Sequence, residues 1–265
     1  MTFRSHQLAL AAGAALTLAM VGASRAEAFS FTTNYSLDGS LTGDDVWRGD
    51  ILLNSVSYGG QTFSQFSLVN GATIVHNDKF TGGNTGAASA DRGKFSNDGV
   101  IVEDPTAADI VTNLGNLNLS SIIDGEDTGS YTLDLNFDRA ARDVLVWERG
   151  RNSSLTLQAL GAGGTLLGSA FTITQALWGD AGFSLGTTEI GTSIQSVGSR
   201  GISAADFGLG DGLIYGVRVT AAGSLDNGPD FKVVGTAVPE PSLVFGFGAL
   251  ALMGVASRRR RSHEA

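Results

Sequence analysis

The segment Tyr131-Thr132-Leu133-Asp134-Leu135-Asn136-Phe137-Asp138 alternates apolar and polar side chains without a break. A period of two is the signature of an extended strand with one buried face, so Tyr131, Leu133, Leu135 and Phe137 mark the core side of a sheet. Further strands are predicted over Ser30 to Tyr35, Ile51 to Ser57, Thr62 to Val69, Val144 to Glu148, Leu155 to Leu160, Leu166 to Thr174, Leu213 to Thr220 and Phe231 to Gly235. Most are short, β-branched or aromatic, and bounded by glycine. Turn chemistry separates them at Tyr58-Gly59-Gly60, Arg149-Gly150-Arg151-Asn152 and Gly161-Ala162-Gly163-Gly164. No long helical period appears between the two tails. Ser203-Ala204-Ala205-Asp206-Phe207 reads as one helical turn opened by Ser203, and Asn77 to Gly99 as a long surface loop or paired turns. The expected architecture is all-β, an antiparallel two-sheet sandwich of jelly-roll type, over residues 29–237.

Composition removes several functions. Cysteine is absent, which excludes disulfides, thiolate metal sites and cysteine nucleophiles. Histidine occurs only at His6, His76 and His263, so a mechanism that needs an imidazole in the body must use His76. Acidic residues outnumber basic ones, with a formal net charge of −9, and such a chain is repelled by phosphate backbones; no nucleic-acid partner is expected. Gly182-Phe183-Ser184-Leu185-Gly186 spells a nucleophile elbow. That motif needs a strand-to-helix turn and a later histidine, and His263 in the tail is the one that follows. Gly82-Gly83-Asn84-Thr85-Gly86 lacks the Lys-Ser/Thr of a phosphate loop. No catalytic residue is assigned, and the chain is read as a non-enzyme.

Two binding chemistries stay open. Acidic clusters occur at Asp44-Asp45, at Asp124-Gly125-Glu126-Asp127, at Asp206 with Asp211, and at Asp226 with Asp230. Asp206, Asp211, Asp226 and Asp230 are calcium candidates, because oxygen-rich loops suit hard cations. None has EF-hand spacing, and Asp or Asn beside Gly is also an ordinary turn former. No other cofactor is expected. Trp47, Trp147, Trp178 and Tyr58 are candidates for a sugar-stacking platform, although Trp147 sits in the apolar run Val144-Leu145-Val146 and is expected in the core.

The two ends carry targeting chemistry. Residues 1–28 show Arg4 and His6, an apolar run from Leu8 to Val21, and a small-residue exit at Ala26-Glu27-Ala28, the three zones of a secretory signal cleaved after Ala28 by signal peptidase. Val21-Gly22-Ala23 offers a second exit. Residues 238–265 begin Val238-Pro239-Glu240-Pro241, where two prolines end any ladder or helix and leave an accessible segment. The apolar stretch from Leu243 to Ala256 would span about 21 Å as a helix, short of a hydrocarbon core of about 30 Å. Arg258, Arg259, Arg260 and Arg261 then resist translocation and hold that end in the cytoplasm, so the body faces outward.

Pro239-Glu240-Pro241, the short span and the arginine cluster together resemble the PEP-CTERM sorting signal of Gram-negative bacteria. The resemblance implies an exosortase as partner, a transiently membrane-anchored precursor, and a mature protein at the cell surface or in the extracellular matrix, linked to exopolysaccharide or biofilm. The stretches Asn84 to Gly93, Trp147 to Asn152 and Gly228 to Gly235 are similar to those of an exosortase-dependent surface protein family, which implies a location and no chemistry. The function expected is a structural or adhesive surface protein; the alternative is a secreted carbohydrate-binding or carbohydrate-active protein.

Overall fold

The computed structural model describes residues 28–83 and 85–238. In chain order its strands are β1 (Thr32–Leu37), β2 (Ile51–Tyr58), β3 (Gln61–Phe63), β4 (Phe66–Ser67), β5 (Val69–Asn77), β6 (Ala88–Arg92), β7 (Ser121–Gly125), β8 (Ser130–Arg149), β9 (Leu155–Leu160), β10 (Leu166–Ile173), β11 (Gly179–Leu185), β12 (Gln195–Ser203), β13 (Ile214–Ala222) and β14 (Phe231–Ala237); one helix, α1 (Ala107–Leu114), lies between β6 and β7. Strand makes up 52% of the residues and helix 9%, so the chain is mostly β. A large antiparallel sheet is joined by a small sheet in the order β1-β2-β3.

The alternating segment lies in β8, which organises the whole fold. Instead of two strands over Tyr131 to Asp138 and Val144 to Glu148, the chain runs on for 20 residues. The first half pairs with β5 and β13, the second with β12 and β14. Tyr131, Leu133, Leu135, Phe137 and Ala141 face one hydrophobic cluster, and beyond Ala141 the residues reaching that cluster are Val144 and Val146. The parity changes across Arg142 and Asp143. Leu145 and Trp147 then point into a second cluster with Phe31, just before β1, and with Ile51, Leu53 and Val56 of the small sheet. Covered on both faces, this half of β8 becomes a near-continuous apolar run, as doubly buried strands do. Trp147 is 2% exposed; its Nε1–H donates to Thr33 Oγ1 at 2.9 Å, and Phe31 packs edge-on at 5.2 Å.

Several expectations need correction. Thr62 to Val69 is not one strand: Phe63 pairs with β2, Phe66 and Ser67 with β14, and Val69 opens β5 against β8, because three partners in succession take up this stretch. Within Asn77 to Gly99 lies β6, buried through Asp91 and paired with β7; its small alternating residues carry no β-branched signal. Strands β7, β11 and β12 were likewise not expected. A helix also exists. Thr106 and Asp109 close a reciprocal capping box at the start of α1, and Ile110 and Leu114 are buried. Ser203 to Phe207 forms a hydrogen-bonded turn at the end of β12 rather than a helical turn: Asp206 N–H donates to Ser203 O at 3.1 Å, and Asp206 Oδ2 accepts from Ser203 N–H at 2.7 Å and Ser203 Oγ–H at 2.6 Å. Among the described residues no helix is long and apolar enough to cross a membrane. The signal, the sorting motif and the arginine cluster lie outside the described residues, apart from Ala28 and Val238.

Candidate functional site

The antiparallel ladder of β6 and β7 sets Ser89 opposite Asp124 and Asp91 opposite Ile122. Asp91 and Asp124 are therefore diagonal neighbours on one face, within reach of each other. Both are buried, at 2% exposure. The bridge between Gly93 and Thr187 brings a third chain segment alongside, and Glu189 N–H donates to Asp91 Oδ2 at 3.0 Å. Oxygens of Asp91, Asp124 and Glu189 all lie within 4.8 Å of one another. At the end of β8, Arg149 N–H donates to the carbonyl of Asp230 at 3.0 Å. Gly125 packs so tightly on Pro229 that a Cβ there would stand 2.5 Å from the Pro229 oxygen, and its N–H donates to Asp230 Oδ1 at 2.9 Å.

Arg149 is the one guanidinium in this group. Nε donates to Asp230 Oδ2 at 3.0 Å, Nη2 lies 2.7 Å from the same oxygen, and Nη1 donates to Thr187 Oγ1. Nη2 is also 3.0 Å from Asp124 Oδ2 and 3.8 Å from Glu189 Oε2. Burial alone would lower the Arg149 pKa; Asp230, Asp124, Glu189 and Asp91 together reverse that and raise it. The acids show the opposite strain. Burial, then the neighbouring Asp230, drive Asp124 well above the carboxylate range. Burial lifts Asp230 to about 6 against the pull of Arg149. A hydrogen bond with Asp124, then burial, lift Glu189 to about 8, and burial lifts Glu126 to about 7. Asp124 Oδ2 is fully enclosed, with Arg149 Nη2 3.0 Å away as its cationic partner.

These groups open onto a cleft of about 190 Å³ whose lining includes Glu126, Asp127, Asn152, Gln195 and Asn227. Small-molecule sites are usually about 300–1,000 Å³ and mostly apolar. This cleft is smaller, and its lining is polar and mostly acidic or amide. Of the four calcium candidates, Asp230 alone belongs here. Asp206 caps the Ser203 turn, Asp226 Oδ2 accepts from Ala222 N–H at 2.7 Å, and Asp211 is an exposed residue beside Arg142 and Asp143. The four are not brought together. Asp91 and Glu189 escaped the reading of candidate ligands because they lie 98 positions apart and meet only through the Gly93–Thr187 bridge. Asp91, Arg149 and Asp230, far apart in the chain, converge here.

The other candidates separate. Trp147 and Trp178 are buried, Trp178 with its Nε1–H donating to Ser153 O at 2.8 Å, and neither joins a sugar platform. Trp47 is half-buried against Tyr35. Tyr58 stacks between Phe29 and Phe63 at 4.4 and 4.6 Å. Its hydroxyl donates to Asp143 Oδ2 at 2.7 Å, beside a cleft lined also by Arg142 and Gln61. Ser184 lies in β11, where Gly182 takes φ +81° at a bulge rather than a strand-to-helix turn. His76 Nε2 lies 3.2 Å from both Ser130 Oγ and Asp78 Oδ1; one nitrogen serving both partners does not make a relay.

No protein-family model matches this sequence, and no curated protein matches it either. The family resemblance rests on the residues quoted for it.

Proposed function

We propose that the chain is an exported surface or matrix protein, processed by signal peptidase and then by an exosortase acting at Pro239-Glu240-Pro241, with a structural or adhesive role. The observation that carries this reading is the junction itself. Val238 is still fastened to the body, its N–H donating to Ala140 O at 3.1 Å, and the prolines follow at once. At the other junction Ala28 is buried, its carbonyl accepting from Arg200 Nη2, and Phe29 exchanges two backbone hydrogen bonds of 2.8 Å with Gly201. Cleavage after Ala28 leaves Phe29 as the first residue of the folded body. For the architecture, the two different partner sets of β8 and the two core clusters support a jelly-roll-like two-sheet sandwich with the small sheet laid over one outer face.

Replacing Pro239, Glu240 and Pro241 together by alanine is expected to leave an unprocessed precursor in the membrane fraction of the producing bacterium. Normal tail removal in that variant would reject the sorting role.

A second reading, a carbohydrate-binding body, is favoured by the Tyr58–Phe63 stack beside Asp143, Arg142 and Gln61. Both faces of Tyr58 are covered, by Phe29 and Phe63, so the face of Phe63 turned away from Tyr58 is the one that would take a pyranose ring. Saturable binding of the producer's own polysaccharide that Phe63→Ala abolishes would support it, and turnover of that polysaccharide would instead favour a carbohydrate-active enzyme.

A further inference from the structure

Arg142 stands apart from the other arginines of the body. Arg48, Arg139, Arg149, Arg151 and Arg218 each face a carboxylate, and Arg92 and Arg200 donate to backbone carbonyls. Among the described residues the Arg142 guanidinium makes no ion pair and no hydrogen bond. Asp143, next in the chain, turns Oδ2 to the Tyr58 hydroxyl at 2.7 Å and to Thr236 Oγ1–H at 3.3 Å instead. Arg142 falls in the gap where β8 changes partners, after Ala141 against β13 and before Asp143 and Val144 against β12 and β14. An exposed arginine in open water is ordinary. This one lines a cleft of about 390 Å³ together with Phe63 and Gln61, and that volume lies in the range of small-molecule sites.

We propose that this cleft binds an anionic saccharide, a carboxylated pyranose of the uronate class, with Arg142 as the residue that selects the charge. The inference rests on the carbohydrate-binding reading above and names its ligand. Phe63 is half-buried, with one face stacked on Tyr58 at 4.6 Å, and its other face takes the sugar ring. The planar fork of the guanidinium matches the two oxygens of a carboxylate. Gln61, exposed at the rim, offers both a donor and an acceptor to ring hydroxyls. Asp143 is committed to Tyr58 and Thr236, which leaves the Arg142 head available to a ligand. The formal net charge of −9 opposes an anionic ligand at long range. Salt of physiological strength screens that repulsion beyond about 8 Å, so the guanidinium in contact with the ligand decides.

The test uses the full chain, purified in mild detergent and titrated by calorimetry with short oligogalacturonates and oligomannuronates, each beside its methyl ester. The ester keeps the ring and removes the charge. The acids are expected to bind saturably and at least about tenfold more tightly than the esters, the difference that one hydrogen bond to a charged group makes. Arg142→Gln, at an exposed position, is expected to keep the wild-type melting temperature and to lose that preference, the acid falling to the affinity of the ester. Phe63→Ala is expected to weaken acid and ester alike. Equal affinity of the wild type for acid and ester would overturn the anionic ligand and leave the carbohydrate reading standing. An unchanged preference for the acid in Arg142→Gln would overturn the role of Arg142. Binding of neither probe, beside saturable binding of the producer's own polysaccharide, would overturn the inference alone; binding of none of the three would overturn the carbohydrate reading with it.

Discussion

Lys232 shows how one side chain can hold a fold together and tax it at the same time. It is fully buried on β14, and its ammonium donates to Asn113 O and to Asn116 Oδ1, the latter at 3.0 Å. Both acceptors sit at the C-terminal end of α1, where a cation meets the negative end of the helix. Burial nevertheless pushes the group down to about 7, with Asp98 opposing the shift. The unfolded chain therefore binds more protons than the native one between about pH 7 and pH 10.5. Across that window this residue makes stability rise with pH, by up to about 1.4 kcal/mol per unit, and below about pH 7 its penalty is constant. Lys232→Met should lose that slope; urea unfolding of both proteins at pH 7, 8 and 9 measures the difference. Parallel stability curves for wild type and variant would show that the ammonium is not destabilised by burial.

At the scale of elements, α1 is small but holds β6 and β7 in place. Asn113, fully buried, sends Nδ2 to the carbonyls of Asp91, Val100 and Ile122 at 3.0, 3.2 and 2.9 Å, and its Oδ1 accepts from Val100 N–H at 2.7 Å. Thr106→Ala removes the capping box and should cost about 1 kcal/mol. Asn113→Ala orphans several buried groups and should cost at least about 3 kcal/mol. Equal losses in the two variants, read from denaturant midpoints, would contradict the role given to Asn113. The strands with a strict apolar period or a β-branched run, such as Leu155 to Leu160, were legible from residue types alone. Strand β6 was not, because Ala-Ser-Ala-Asp-Arg owes its place to Asn113 and β7 rather than to local preference. The length of β8 was hidden for a related reason: Arg139 and Arg142 interrupt the apolar pattern where the strand changes partners. The acidic site was half legible. Asp124 and Asp230 stand in conspicuous acidic runs of the sequence, whereas Asp91 and Glu189 become partners only through tertiary contacts.

Among the described residues, the two ends of the body lie close together. Phe29 stacks on Tyr58, Tyr58 bonds Asp143, and Thr236 Oγ1–H reaches the same Asp143 oxygen at 3.3 Å, two residues before Val238. Asp230 and Arg149 lie at the opposite end of β14, about 20 Å away at the rise of an extended strand. In the proposed precursor both targeting segments thus leave one end of the body, and the acidic cleft is carried at the other, away from the membrane. The sorting claim is the one on which this arrangement depends. Intact-mass measurement of the protein recovered from the surface of the producing cell tests it most directly. The mass expected begins at Phe29 and lacks the apolar stretch and Arg258 to Arg261, with or without an added group at the new C-terminus; a full-length mass, with both terminal segments still attached, would contradict the account.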